Sequence, residues 1–393
     1  MRKKILNPLL QLDHIIEEHS FTESLESSDA IVDMFQIMED EQDLMDKTSD
    51  LSFVDGLLNE AEASIERLSS IRDTLQKYGI SQTMMHLADP EAELVSAGIC
   101  GSYENLSDIP MKDTDSCDAI EGLGATIESI TSRIGDFFNV AGAKLLGWGE
   151  SVKRLFVSYE TTLIAQLKQL NRKSTNEERF AELSATAFTK SEFDDALRIT
   201  EHVLRLVSGN SLNKVANDLE RVMNGTMLER EYVAASSKKA GERVSSLIGN
   251  ADIDKFVGLQ ISLTDDGAIH SVQSVRPSVF PKRAKTADLN WASDDVLLVV
   301  RKSLNMLTAA RLLDKNIDMI VSSCKNMSDT LKAQSVKTKD FARDTKTAYS
   351  LAVADTKTII MANRQILKVT VQSINRIVAS SISLANAALK AAS

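Results

Sequence analysis

VLLVVRKSLNMLTAARLLDKNIDMIVSSCKNMSDTL, residues 296–331, decides the fold. Apolar or small side chains recur at alternating spacings of three and four, through Val296, Val299, Ser303, Met306, Ala310, Leu313, Ile317, Ile320, Cys324, Met327 and Leu331. That is a heptad register, the pattern of a helix whose one face packs on another helix. The stretch lies in a tail, residues 282–393, whose 112 residues include no Pro, Gly or Glu. The register continues less cleanly through Phe341, Ala348, Ala352, Ile359, Ala362, Ile366 and Val369, with Gln334, Thr338, Thr345 and Asp355 as polar lapses. An unbroken helix of that length would span roughly 150 Å at 1.5 Å per residue. The lapses from Gln334 to Thr345 predict a bend instead, and so a long antiparallel helical hairpin. A continuous or oligomeric coiled coil is the alternative.

Upstream, residues 251–281 break the helical pattern. Phe256 to Leu263 and Ala268 to Val275 alternate, and Thr264-Asp-Asp-Gly267 between them predicts one small β-hairpin. Residues 117–250 read as a bundle of compact helices. Ser174-Thr-Asn-Glu177 and Ser191-Glu-Phe-Asp194 resemble capping boxes. Leu197, Val203, Leu204 and Val207 fill one helix, and Leu212, Val215, Leu219 and Val222 the next, which stops at Asn224-Gly225. Residues 80–116 hold Pro90, Gly98, Gly101 and Pro110 among Ser and Asp, and read as a linker. Ahead of it, Val54, Leu57, Ala61, Ile65, Leu68, Ile71, Leu75 and Tyr78 form a helical stripe that Gly79 ends. Ser20 to Asp50 is richer in acid and offers only a thin apolar stripe. The fold class that follows is mainly α: an elongated helical bundle with a long C-terminal hairpin and one β-hairpin.

Charge is sorted along this chain. Residues 1–104 carry 7 Lys/Arg against 22 Asp/Glu, a net of −15, whereas residues 243–393 carry 21 against 13, a net of +8. The overall −11 therefore conceals an acidic head joined to a mildly basic body. Cys100, Cys117 and Cys324 are odd in number and form no CxxC pair, which predicts reduced thiols. The apolar run after Met1 is too short for a signal peptide, and no run approaches a membrane span.

Chemistry-bearing motifs are absent or incomplete. His14-Ile-Ile-Glu-Glu-His19 places its histidines on diverging faces of a helix, unsuited to a shared metal. Gly122-Leu-Gly124 lacks the third glycine of a dinucleotide fingerprint, and no cofactor is expected. Asp194-Asp195 and Asp294-Asp295 fit helix starts, where the macrodipole favours acid. His202 is expected to be partly buried in its helix. Catalysis is not expected. Phe137 to Trp148 is apolar and glycine-containing, suited to core packing or, alternatively, to a membrane or a partner helix. Lys282, Arg283 and Lys285 form a basic cluster suited to weak, nonspecific phosphate contact. Ser102-Tyr103-Glu104 lies in the linker, where the acidic head ends and a protease can reach extended backbone.

That layout resembles the internal head proteins of giant tailed bacteriophages. The resemblance is carried by an acidic helical head, a Ser-x-Glu tripeptide in a linker and a helical body with a basic tail. It implies a non-enzymatic structural protein, made in the host cytoplasm and packed into the virion interior with other virion proteins and DNA. It also implies a head-maturation protease that cuts after small-x-Glu, here after Glu104, and removes residues 1–104 as a propeptide. T-even-like phages use Leu or Ile at the first position, which Ile37-Met-Glu39 and Leu58-Asn-Glu60 would satisfy. Loss of residues 1–104 leaves 38 Lys/Arg against 34 Asp/Glu, a net of +4. Two other readings stay open: a membrane-active pore or ejection component, and a cytosolic coiled-coil scaffold that assembles with its own copies.

Overall fold

Four long helical runs build the described part of the molecule. The computed structural model describes residues 28–78, 116–172, 175–183, 189–208, 252–278, 291–334 and 343–392, together with short pieces between 212 and 246. The elements are α1 (Ser28–Tyr78), α2 (Ser116–Leu170), α3 (Glu177–Leu183), α4 (Lys190–Ser208) and α5 (Ile253–Phe256). Strands β1 (Leu259–Leu263) and β2 (Ile269–Ser274) follow, then α6 (Ser293–Ala310), α7 (Leu313–Lys332) and α8 (Arg343–Ala391). The fold is mainly helical and elongated: 55 residues of α2 make a rod of about 80 Å.

All eleven heptad positions from Val296 to Leu331 are buried. They do not lie on one helix, however, because a turn at Arg311–Leu312 separates α6 from α7. Both turn residues keep right-handed helical dihedrals, and Leu312 N–H bonds Ala309 O at 3.2 Å. The turn is therefore a tightened one, and the heptad phase carries across it. The predicted hairpin is present: α8 runs back along α6 and α7, and the hydroxyls of Ser303 and Ser381 meet at 2.7 Å.

Helix α8 is the central element. It packs on α2, α3, α4, α6, α7 and β2. From Ala352 to Ala391 only Ala354 and Ser383 are exposed. A helix surrounded on every side loses the one-faced pattern of an amphipathic surface helix, which is why its heptads look irregular. Its buried serine and threonine hydroxyls are satisfied locally or by neighbours: Thr370 bonds Ile366 O, and Ser373 meets Thr200 of α4 at 2.6 Å.

Helices α2 and α7 pack antiparallel through a glycine stripe. Gly135, Gly142 and Gly149 recur every seven residues on α2, and each faces α7. A Cβ on Gly135 would lie 3.0 Å from the Ser328 carbonyl; on Gly142, 3.4 Å from Cys324 Cβ; on Gly149, 3.0 Å from Ile317 Cδ1. The missing side chains let the two backbones approach. Phe137–Trp148 is thus core on one side, with Phe138, Ala141, Leu145 and Trp148 buried, while Val140 and Leu146 face outward.

Several expectations need correction. Much of the expected bundle of compact helices is the single 55-residue α2. The cap of α3 is Asn176, whose Oδ1 accepts from Arg179 N–H at 3.1 Å, not Ser174. The capping box of α4 is Thr189–Glu192, two residues ahead of the expected one, with reciprocal bonds of 3.0 and 3.3 Å. Phe256 belongs to the short α5 and not to a strand. The hairpin itself forms with Ile261 opposite Val272, and its turn carries Gly267 at φ 85°. Its tip rests on a helical piece at 238–242, where a Cβ on Gly241 would fall 1.6 Å from Gly267 O. Of the helix expected after Gly209, Leu212 is described and buried; Val215, Leu219, Val222 and the Asn224-Gly225 stop lie outside the described residues.

Candidate functional site

The described part of the acidic head, helix α1, is built into the core. Helix α1 runs antiparallel along α2 and also reaches α8. Its Ile37, Leu44, Leu51, Val54, Leu58, Ala61 and Leu68 are buried at spacings of three, four and seven. Burying each of the larger ones is worth about 1.5–3 kcal/mol relative to exposure. The thin apolar stripe expected before Asp50 is therefore real, and it is continuous with the stripe after it.

Acidic side chains of α1 find basic or hydroxyl partners along the same seam. Asp43 pairs with Arg154, and Asp50 Oδ2 lies 2.6 Å from Lys144 Nζ. Asp40 accepts from Ser158 at 2.6 Å, and Glu41 accepts from Tyr159. Thr48 Oγ1 accepts from the Trp148 indole at 2.9 Å. The Ser151 hydroxyl, with Lys47 and Arg154 beside it, holds the Asp43 carboxyl below the usual carboxylate range. Burial, reinforced by Glu41, pushes the Tyr159 phenol well above its ordinary value.

Asp55 serves the deepest charges. It faces Arg364 and Lys368, one turn apart on α8, at 2.8 and 3.3 Å. Their side chains are 1% and 6% exposed. Lys368 also donates to Ser52 Oγ at 2.9 Å. Burial pushes the Lys368 ammonium below its ordinary value even though Asp55 opposes that shift. None of the Arg364 nitrogens makes a hydrogen bond, and neither does Asp55 Oδ1, so these two residues meet as an ion pair without hydrogen-bond alignment. Among the described residues, one carboxylate thus answers two buried cations.

The candidates singled out from the sequence fare differently. Ser102, Tyr103 and Glu104 lie outside the described residues, as do Lys282, Arg283, Lys285, His14 and His19. The other tripeptides of similar form lie on helices where they are described. Ile37-Met-Glu39 and Leu58-Asn-Glu60 sit on α1 with Ile37 and Leu58 buried. Ser64-Ile-Glu66 is also on α1, and Ser158-Tyr-Glu160 is on α2 with all three residues engaged by Asp40, Glu41 and Arg311. A protease needs extended backbone, so none of these offers a ready substrate.

His202 is exposed, not partly buried. It lines a shallow pocket with Arg198, Glu201 and Arg205 of α4 and Ile253. Asp194 and Asp195 sit in the second turn of α4, not at its start, and pair with Lys302 and Arg198 at 2.6 and 3.2 Å. Asp294 and Asp295 do open α6, where Asp295 accepts from Ala292 N–H at 3.2 Å. Among the described residues no cluster of His, Cys, Asp and Glu could hold a metal ion, and no helix is long and apolar enough to cross a membrane.

The sequence reading missed Asp55, Arg364 and Lys368. Spacing gives one clue: Arg364 and Lys368 are four apart, among buried residues of a helix that otherwise keeps few charges. No protein-family model, curated protein or solved structure matches the chain.

Proposed function

We propose that this chain is a non-enzymatic structural protein of the virion interior of a tailed phage, whose acidic N-terminal helix masks a basic and apolar seam of the body. The observation that carries the masking is the seating of α1: its Asp43 and Asp50 pair with Arg154 and Lys144 at the rim, and its Asp55 faces the buried Arg364 and Lys368. A cut after Glu104 severs the covalent tie between mask and body. The body alone would carry a net +4, with those cations available to genome phosphates and to neighbouring virion proteins.

Helical tripeptides elsewhere in the chain support the linker as the place of cutting. The heptads of α6 and α7 are filled from within, against α8 and α2, which speaks for a self-contained particle component over an open coiled-coil scaffold. The test is the N-terminal residue and mass of the protein taken from mature particles. A chain beginning at Asn105 is expected. An intact chain beginning at Met1 in those particles, or absence from them, overturns the reading.

A further inference from the structure

We propose that the groove between α2 and α8 is a receptor for an acidic amphipathic helix in trans, and that residues 28–78 stay seated there after the linker is cut. The inference rests on the processing reading for its biology, but not for its physics. The contacts of α1 named above are made by residues 28–78 themselves. Leu44, Leu51, Leu58 and Leu68 are buried on α1, which packs along α2, and Asp55 reaches α8 as the counter-charge of two cations that have almost no access to water. Breaking a peptide bond in the linker removes none of these contacts. It removes only the effective concentration that a tether supplies.

Departure of α1 would uncover an apolar trough and leave Arg364 and Lys368 without an opposing charge. Both consequences disfavour release. The mature protein is therefore a two-chain complex that still carries a net −11 over both chains. Cutting makes the mask exchangeable, and a competing polyanion, or a second acidic helix, is what lifts it. The occupant to which the groove is fitted is the α1 segment itself, apolar on one face and acidic toward four cations.

The test uses the full chain with a site-specific protease sequence inserted after Glu104, so the cut does not depend on any native protease. After complete cutting, size exclusion and native mass measurement at about 1 μM are expected to show both fragments in one 1:1 complex, separating only in denaturant. Separation of the fragments in buffer at that concentration overturns the proposal. Asp55→Ala and Asp43→Ala are compared in the same cut chain. Asp55→Ala is expected to weaken retention at least about a hundred-fold, and Asp43→Ala, whose pair with Arg154 is half exposed, less than about tenfold. Equal effects overturn the assignment of the grip to Arg364 and Lys368. An uncut chain in native particles would defeat the processing reading and leave these results standing.

Discussion

Asp55 Oδ1 lies 2.8 Å from Arg364 Nη2 while its Oδ2 lies 3.3 Å from Lys368 Nζ, so a single carboxylate of the acidic helix neutralises the most deeply buried charges of the central one. Desolvating two cations is costly, and only a well-placed anion offsets it. Asp55→Ala leaves both cations buried and unpaired. The expected loss is about 3–5 kcal/mol in urea unfolding. Asp73→Ala, which removes an exposed partner of Arg72, is expected to cost under about 0.5 kcal/mol. Replacing all three groups together, as Asp55→Leu, Arg364→Met and Lys368→Met, should recover most of the loss, since an apolar trio needs no counter-charge. A cost below about 1 kcal/mol for Asp55→Ala would show that water reaches the trio.

Glycines of the long helices divide by what a methyl group would meet. An added Cβ at Gly56 or Gly147 has nothing within 4 Å, so Ala there keeps the fold and gains helix propensity, about 0.5–1 kcal/mol each. At Gly135 the nearest atom is the Ser328 carbonyl oxygen at 3.0 Å, part of the backbone of α7. Gly135→Ala must open the α2–α7 seam, and the propensity gain is cancelled or reversed by about 1–3 kcal/mol of overpacking. Gly241→Ala is expected to be the most damaging, because Gly267 O stands 1.6 Å from the new carbon. Thermal midpoints should therefore rank Gly147→Ala and Gly56→Ala above the parent, Gly135→Ala at or below it, and Gly241→Ala lowest. A neutral Gly241→Ala would mean that the hairpin tip does not rest on 238–242.

How much of this was legible in the sequence depends on how many sides of each element are buried. The one-sided helices announced themselves: every heptad position of α6 and α7 is a core position. The central helix did not, because Thr356, Thr370, Ser373 and Ser381 are buried hydroxyls that look like solvent-facing residues in a one-dimensional pattern. The break at Arg311–Leu312 left no trace, since a tightened helical turn preserves phase. Helix α1 was legible as a helix after Val54 but not as core before Asp50, where acidic residues crowd the buried stripe of Ile37 and Leu44. Its role was hidden for a physical reason. Asp50 meets Lys144 across 94 positions and Asp55 meets Lys368 across 313, and long-range charge matching has no period. Asp40, Glu41, Asp43, Asp50 and Asp55, part of the acid content that suggests a separate head, are matched to the body.

Alkali tests the seam between α1 and α2 from the other side. Tyr159 is buried beside Glu41, and both burial and that carboxylate oppose its ionisation, pushing its pKa well up. Burial alone pushes Tyr349 of α8 up to about 12. In the unfolded chain both phenols ionise near their ordinary value of about 10. Between about pH 10 and 12 the folded state therefore holds protons that the unfolded state has released, and stability falls as pH rises through that window. Two of the five tyrosines should resist ionisation when phenolate absorbance is followed upward from neutral pH, and they should titrate only together with loss of helical signal. Tyr159→Phe removes one of them together with the hydrogen bond it donates to Glu41. That variant should lose less stability between pH 10 and 12 than the parent does. An unchanged alkaline slope would place Tyr159 in contact with water and α1 away from its seat.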